Sequence, residues 1–168
     1  MIRFDETMHG YEACGLMGRR PDAPKGREPA MNTVTYGTGM PDDPWHLRTP
    51  PLSSEFRAWR DPAAQPPALV VQVGTTRLSY RLEALEDAAA MLRARGDWMD
   101  LGNADEGKPV RPDTLEAWAR DPANPVGGWY GLRKGYRGRF ANYGAPVLEV
   151  LGLAELEHNP KNNRIRAR

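Results

Sequence analysis

Residues 129–168 read WYGLRKGYRGRFANYGAPVLEVLGLAELEHNPKNNRIRAR and end the chain with a basic segment rich in aromatic residues. In the first part, 132–143, four cations lie among three aromatic residues: Arg133, Lys134, Arg137 and Arg139 among Tyr136, Phe140 and Tyr143. No acidic residue occurs between Asp121 and Glu149. This combination of cations and rings is typical of surfaces that contact nucleic acid.

The segment 132–143 has two possible backbone structures. As the second helix of a helix-turn-helix, it would place Arg133 and Arg137 one turn apart on one face. Its glycines each weaken a helix by about 1 kcal/mol relative to Ala, and Pro146 would kink or end it. The alternative is a basic, Gly-rich loop that grips phosphates through backbone N–H groups while Tyr or Trp rings stack on bases. A third interpretation is a solvated basic surface over an aromatic core.

The chain ends in a predicted hairpin. The apolar segment 146–151 stops at Gly152. After it, 153–168 is expected to form two short strands around the turn 159–163. An apolar helix that closes at a Leu-Gly-Leu and leads into a basic hairpin resembles the end of a winged-helix domain.

The winged-helix resemblance implies roles for the tip of the hairpin and its returning strand. The wing cations would contact phosphates: Lys161, Arg164 and Arg166. Asn162 or Asn163 would reach a groove. Glu155 and Glu157 depart from such a wing, because they put anions beside the proposed phosphate path. A winged helix can also serve as a protein-interaction domain.

Upstream, the clearest local pattern lies in 68–82. Two strand-like runs flank a turn at Gly74, so we predict a β-hairpin. Residues 83–95 repeat apolar residues at helical spacing and end before Gly96, a suitable residue to close a helix. A short third strand over 97–102 completes a small hairpin, helix and strand unit of the α+β class.

Two shorter helical segments are predicted from capping residues. A helix turn led by serine is expected over 53–60, in which Phe56 and Trp59 are three residues apart. A second short helix, over 115–120, can be capped by Thr114 or by the acid before it. Both would be short, because turn-forming residues follow them.

The composition favours one compact unit preceded by an extension. The 168 residues include 16 Pro and 17 Gly, which indicates many short elements instead of long helices. Residues 1–40 show little periodicity and low apolar density, so we expect a poorly structured N-terminal extension. Residues 41–102 hold the α+β hairpin and helix unit, and 103–168 hold the winged-helix-like basic part. We expect these two parts to pack as one compact domain.

Four segments within about 41–168 are similar to an uncharacterised family of small bacterial proteins: PPALVVQVG, GDWMDLG, NPVGGWYGL and EHNPKNN. The similarity implies no activity. It does imply that this part of the chain is a self-contained unit and that the N-terminal stretch lies outside it.

Charge is distributed unevenly along the chain. The formal net charge is only +1, but residues 107–168 contain eleven Lys and Arg against six Asp and Glu. A basic end indicates contact with a polyanion, although ordinary solvated surfaces produce the same asymmetry. A single cysteine, no apolar run that spans a bilayer and no signal peptide predict a cytoplasmic protein without a membrane partner.

Together these patterns favour a regulatory protein that binds nucleic acid, with duplex DNA as the first expected target. The expected contact residues are Arg133, Lys134, Arg137, Arg139, Lys161, Asn163, Arg164 and Arg166. One alternative is a protein-interaction module of winged-helix type. Another is a small metal-independent nuclease that uses His158 as general acid or base. An enzyme is the less favoured class, and the spacing of the histidines predicts neither a metal site nor a cofactor.

Overall fold

The computed structural model describes residues 36–168 of the chain. Their strands and helices follow in this order: β1 (Trp45–Arg48), β2 (Glu55–Asp61), β3 (Ala68–Val73), β4 (Thr76–Arg81), α1 (Ala84–Arg95), β5 (Met99–Asp100), α2 (Leu115–Trp118), α3 (Phe140–Val150), β6 (Ala154–Leu156) and β7 (Arg164–Ala167). Most of the predicted extension, 1–40, lies outside the described residues. No helix between residues 36 and 168 has the length and apolar character needed to cross a membrane.

The first sheet is antiparallel with the strand order β1-β2-β3-β4, so strands that follow one another in the sequence lie side by side. The predicted hairpin over 68–82 is confirmed as β3 and β4, in which Val73 lies opposite Thr76. Gly74 in the connecting turn adopts φ 59°, a left-handed conformation that glycine accepts without a Cβ penalty. The local sequence pattern was sufficient here because the turn joins strands that are neighbours in the sequence.

Alternation along these strands gives the first sheet an inner and an outer face. The inner face is apolar and buried, and its side chains include Leu47, Phe56, Ala58, Leu69, Val71, Leu78 and Tyr80. The outer face is largely polar and includes His46, Arg57, Trp59, Gln72, Arg77 and Ser79. The inner face therefore points to the core, and the outer face is available for other contacts.

The helix turn predicted over 53–60 is wrong, because this segment forms the strand β2. Phe56 and Ala58 are buried on the inner face, whereas Arg57 between them is exposed. Since β2 lies between β1 and β3, hydrogen bonds on both edges stabilise the extended backbone. These long-range contacts outweigh the weak local preference for a capped helix turn.

The second sheet has the strand order β5-β7-β6. The helix predicted over 83–95 is confirmed as α1, and Gly96 closes it with an N–H that donates to Leu92 O at 3.0 Å. The third strand predicted over 97–102 is the shorter β5, which pairs with β7 and not with the hairpin. The C-terminal hairpin is confirmed as β6 and β7, with Leu156 opposite Ile165.

Residues 132–139 form a loop, and α3 begins only at Phe140. The helix expected over 132–143 is therefore wrong for most of its length, and the alternative of a Gly-rich loop describes the segment. A Cβ on Gly131 would collide with the Cα of Arg137, and a Cβ on Gly138 would collide with the backbone nitrogen of Glu106. The loop needs glycine at both positions because backbone approaches so closely.

The helix α3 is the centre of the core. Most of its side chains are buried, namely Phe140, Ala141, Tyr143, Ala145, Pro146, Val147 and Leu148. It packs against α1, α2, β1 and β6. Two of its rings contact the inner face of the first sheet edge-on, Tyr143 at 5.0 Å from Phe56 and Phe140 at 5.5 Å from Tyr80. Because α3 touches strands of both sheets, it joins them in one apolar core.

A buried carboxylate from α2 holds the start of α3. Thr114 caps α2, as predicted, by accepting the N–H of Ala117 at 3.1 Å. Glu116, which is 1% exposed, then accepts the N–H of Ala141 at 2.8 Å and a hydrogen bond from Arg120 at 3.0 Å. Burial raises the pKa of Glu116, and these donors act in the opposite direction by favouring the carboxylate.

Replacing Glu116 by Ala is expected to lower the free energy of unfolding by about 3–5 kcal/mol, the usual cost of removing one partner of a buried ion pair. The variant leaves Arg120 without its carboxylate and the first turn of α3 without its acceptor. Urea unfolding followed by circular dichroism measures the loss. The control is Glu55→Ala, which removes an exposed ion pair with Arg48. A Glu116→Ala loss no larger than that of the control would contradict the proposed role.

Candidate nucleic-acid interface

Two of the loop cations expected to bind phosphate are ion-paired within the protein. Arg137 Nη2 donates to Glu106 Oε2 at 2.8 Å, and the guanidinium of Arg139 pairs with Asp105. Both acids come from the segment that precedes α2 and lie far from the loop in sequence. The cationic run seen in the sequence is therefore partly neutralised in three dimensions.

Glu106 also shapes the loop. Its Oε1 accepts the backbone N–H groups of Gly135 at 2.9 Å and of Arg137 at 2.8 Å. The guanidinium of Arg137 first, and then these N–H groups, lower the pKa of Glu106 from 4.5 to about 2. Glu106 thus occupies the backbone donors that a Gly-rich loop would offer to an anion.

Arg120 holds the segment that supplies these two acids. Its Nη2 donates to Ala104 O at 3.1 Å, and its Nη1 donates to Lys108 O at 3.2 Å. The guanidiniums of Arg120 and Arg137 lie 4.5 Å and 4.7 Å from the ring centroid of Trp129. Arg120, which pairs with the buried Glu116, therefore also holds the segment that carries Asp105 and Glu106. These two acids pair with the loop.

The wing cations are neutralised in a similar way. Arg164 Nη2 donates to Glu157 at 2.7 Å, and Arg166 Nε donates to Glu155 at 2.6 Å. Both guanidiniums lie over the ring of Trp98, at 4.9 Å and 4.5 Å from its centroid. Glu155 and Glu157, which an ideal DNA-binding wing would lack, are thus the ion-pair partners of Arg166 and Arg164.

The tip of the wing has one exposed cation. Lys161 is exposed and has no carboxylate partner within the part of the chain that the structure describes. Asn163, by contrast, is buried, and its Nδ2 donates to Asn159 O at 2.9 Å. Its Oδ1 accepts the N–H of Asn159. The amide of Asn163 therefore closes the turn of the wing.

Both ring nitrogens of His158 are engaged. Nδ1 lies 2.9 Å from Pro50 O, and Nε2 lies 2.9 Å from Glu149 Oε2. The carbonyl and the carboxylate oxygens thus lie within hydrogen-bond distance of the two ring nitrogens. His158 thereby connects the β1–β2 loop to α3, and neither nitrogen faces a free reactive group.

Other cations, which the sequence analysis did not select, lie on the outer face of the first sheet. Arg57, Gln72 and Arg77 are side by side in the register of β2, β3 and β4. Arg77 donates to Gln72 Oε1 at 2.8 Å, and its guanidinium lies 5.2 Å from the ring centroid of Trp59. Neither arginine has a carboxylate partner among residues 36–168. The alternation of Arg57 and Trp59 with buried Phe56 and Ala58 is the sequence signal for this face, but the serine cap over the same segment predicts a helix turn.

Arg133 extends this surface beyond the edge of the sheet. The chain before it runs beside β4, where Leu132 N–H donates to Ser79 O at 2.8 Å. The guanidinium of Arg133 donates to the carbonyl of Arg77 and lies 4.2 Å from the ring centroid of Tyr136. Guanidiniums and rings thus follow one another across the surface, in the order Trp59, Arg77, Arg133, Tyr136.

A cavity of about 420 Å³ opens on this surface. Its wall includes Arg77, Ser79 and Arg133, and the remainder is mostly apolar. This volume lies within the range of about 300–1,000 Å³ that is usual for small-molecule sites. This cavity, the cations Arg57, Arg77, Arg133 and Lys134, and the rings of Trp59 and Tyr136 are together called the outer-face site.

Comparison with characterised proteins and with solved structures gives no match. Residues 37–168 match a family model described as "Family of unknown function (DUF6855)". The chain belongs to the DUF6855 family. The match agrees with the similarity of 41–168 to an uncharacterised family, and it covers every strand and helix described above. Among the described residues 36–168, no group of three or more His, Cys, Asp or Glu side chains is arranged to hold a metal ion.

The contribution of Glu106 to stability is expected to depend on pH. Its pKa is lowered on folding, so its contribution is complete above pH 4.5 and is lost as the pH falls towards 2. The difference in urea midpoint between the wild type and Glu106→Gln should be constant above this window and shrink within it. A difference that does not change from neutral pH to pH 2 would contradict the assignment.

Proposed function

We propose that this DUF6855 protein binds nucleic acid through the outer-face site. The observation that carries the proposal is a group of cations without a carboxylate partner among the described residues: Arg57 and Arg77 on the outer face, and Arg133 with its sequence neighbour Lys134 in the loop beside β4. Such cations gain affinity for a polyanion because each phosphate contact releases condensed counterions. The rings of Trp59 and Tyr136 beside them are suited to stacking on bases.

The cations of the loop and wing that are already paired have a secondary role in this proposal. Each must exchange a carboxylate for a phosphate, so the net gain per contact is smaller than for an unpaired cation. The paired residues are Arg137, Arg139, Arg164 and Arg166. Lys161 at the wing tip has no carboxylate partner among the described residues, so it remains a proposed phosphate contact.

The order of elements in the second half of the chain supports the winged-helix comparison. From α1 to β7, the elements run helix, strand, helix, helix, strand, strand, and the last strand lies at the centre of the sheet. In a helix-turn-helix the second helix enters the major groove, and α3 holds that position here. Most side chains of α3 are buried in the core, however. For this reason the proposed interface is on the outer face of the first sheet and not on α3.

A protein partner is the second candidate, and the wing favours it. Its surface presents the ion pairs Arg164–Glu157 and Arg166–Glu155 around the ring of Trp98. Charges of both signs around an aromatic ring complement another protein better than they complement a uniformly anionic polymer. In this interpretation the wing would be the interface, and the outer-face site would have no effect on binding.

Replacing Arg57, Arg77 and Arg133 together by Gln is expected to weaken nucleic-acid binding by at least about tenfold. The reason is the loss of three phosphate contacts, which should also reduce the slope of log K against log salt by about 2 for a single strand. Fluorescence anisotropy of a labelled mixed-sequence oligonucleotide, measured with the full chain over a salt series, gives both quantities.

The matched control removes the same charge at three exposed cations that line no part of the outer-face site: Arg93, Lys108 and Arg168. We expect the control triple variant to keep most of the affinity and nearly the original salt slope. Equal losses in the two triple variants would mean that only net charge matters, and the proposed interface would be rejected. Absence of binding by the wild type at low salt would reject nucleic-acid binding altogether.

A further inference from the structure

The cavity of the outer-face site combines two guanidiniums with an apolar floor. Arg77 and Arg133 contribute the guanidiniums. The floor is formed by Ala64, Pro66, Ala68 and Leu132. Guanidiniums bind the oxygens of a phosphate, and an apolar floor can stack against the flat face of a base. A nucleotide contains both groups.

We propose that this cavity holds one unpaired nucleotide of a single-stranded nucleic acid, with its base on the apolar floor and its phosphate at Arg77 and Arg133. This inference rests on the proposed function and makes it more specific, because it selects single strands over the duplex. It also places the ligand in the cavity, whereas the sequence pattern favours the loop and the wing.

The guanidinium of Arg77 is held in place before any ligand binds. Its Nε and Nη2 donate to Gln72 Oε1 at 3.2 Å and 2.8 Å, and Gln72 Nε2 in turn donates to Gly74 O at 3.1 Å. A guanidinium has five N–H donors, so three remain for phosphate oxygens. Since the side chain is already ordered, little conformational entropy is lost when these donors bind.

Arg133 is fixed at the same end of the cavity. It donates from Nη1 to the carbonyl of Arg77, and its guanidinium lies over the ring of Tyr136. The remaining donors of its planar group are available for a second phosphate oxygen or for an adjacent phosphate. Arg133 is thus attached to the backbone of Arg77, and both guanidiniums line the cavity, where they make a cationic pair suited to a phosphodiester.

The other end of the cavity is suited to a base. Ala68 lies opposite Arg81 in the β3–β4 register, so it is four positions along β4 from Arg77. Gln65 and Ser79 line the wall and have an amide and a hydroxyl that can hydrogen-bond a base edge. Asp61, opposite Ala68 in β2, is an acid at this end and not beside the two guanidiniums.

The cavity is shallow and open to solvent, and its exposed apolar lining favours a single strand. A base that is paired and stacked in a duplex cannot leave the stack without an unstacking cost of a few kcal/mol, whereas an unpaired base can enter directly. Trp59 beside Arg77 and Tyr136 beside Arg133 can take neighbouring bases of the same strand. Duplex DNA could contact the cations, but its bases would reach neither the floor nor these rings.

The test compares single-stranded and hairpin-duplex probes of about 12 nucleotides, as RNA and as DNA, by fluorescence anisotropy with the full chain. The decisive variant is Ser79→Phe, which fills the cavity without changing charge. We expect it to weaken single-strand binding by at least about fivefold, which is the lower end of the range for the loss of one stacked base. We expect duplex binding to be unchanged. Ala90→Phe adds the same ring to an exposed position of α1, away from the outer-face site, and serves as the control.

Ala64→Phe fills the cavity from the loop side and provides an independent variant if Ser79→Phe fails to fold, as judged by circular dichroism. The inference is supported if either cavity-filling variant abolishes the preference for single strands and Ala90→Phe retains it. Equal affinity for single strand and duplex, or no effect of filling, overturns the inference but leaves nucleic-acid binding intact. No binding of any probe by the wild type overturns both. A difference between the RNA and DNA probes identifies the sugar that the site accepts.

Discussion

The arrangement of the C-terminal half depends on one buried ion pair between Glu116 and Arg120. Glu116 accepts the N–H of Ala141 and so fixes where α3 begins. Arg120 donates to the carbonyls of Ala104 and Lys108 and so fixes the segment before α2. A charged group that is almost fully buried needs such partners, because an unpaired charge in the core would be costly. The capped start of α3 and the acids that reach the loop are both consequences of this requirement.

The distribution of available charge follows from that geometry. Once the segment before α2 is held, Asp105 and Glu106 reach the loop and pair with Arg139 and Arg137. The arginines of the wing find acids on the neighbouring strand. A cation-rich stretch of sequence is thereby partly neutralised. On the outer face, Arg57 and Arg77 have no carboxylate partner among the described residues, whereas Arg48 and Arg81 on the same face pair with Glu55 and Glu83. The unpaired cations Arg57, Arg77 and Arg133 are the physical basis for placing the interface there.

Burial of α3 is the second constraint on function. Its rings pack against the inner face of the first sheet, and its other side contacts α1 and β6. A helix in this position has few side chains left for a DNA groove, whatever the order of elements around it. The inner face of the first sheet thus covers α3, and the outer face of the same sheet remains exposed. The order of helices and strands in this chain therefore does not determine which surface binds a ligand.

The sequence alone determined the elements whose stabilising contacts are local: the hairpin over 68–82, the helix closed by Gly96, the cap at Thr114 and the C-terminal hairpin. Turn residues and short-range periodicity specify these, because the interacting residues are close in the chain. Only the tertiary structure decided that 53–60 is a strand, since pairing with two neighbouring strands outweighs local preference. It also decided which cations are neutralised, because their carboxylate partners are distant in sequence and meet them only when the core is packed.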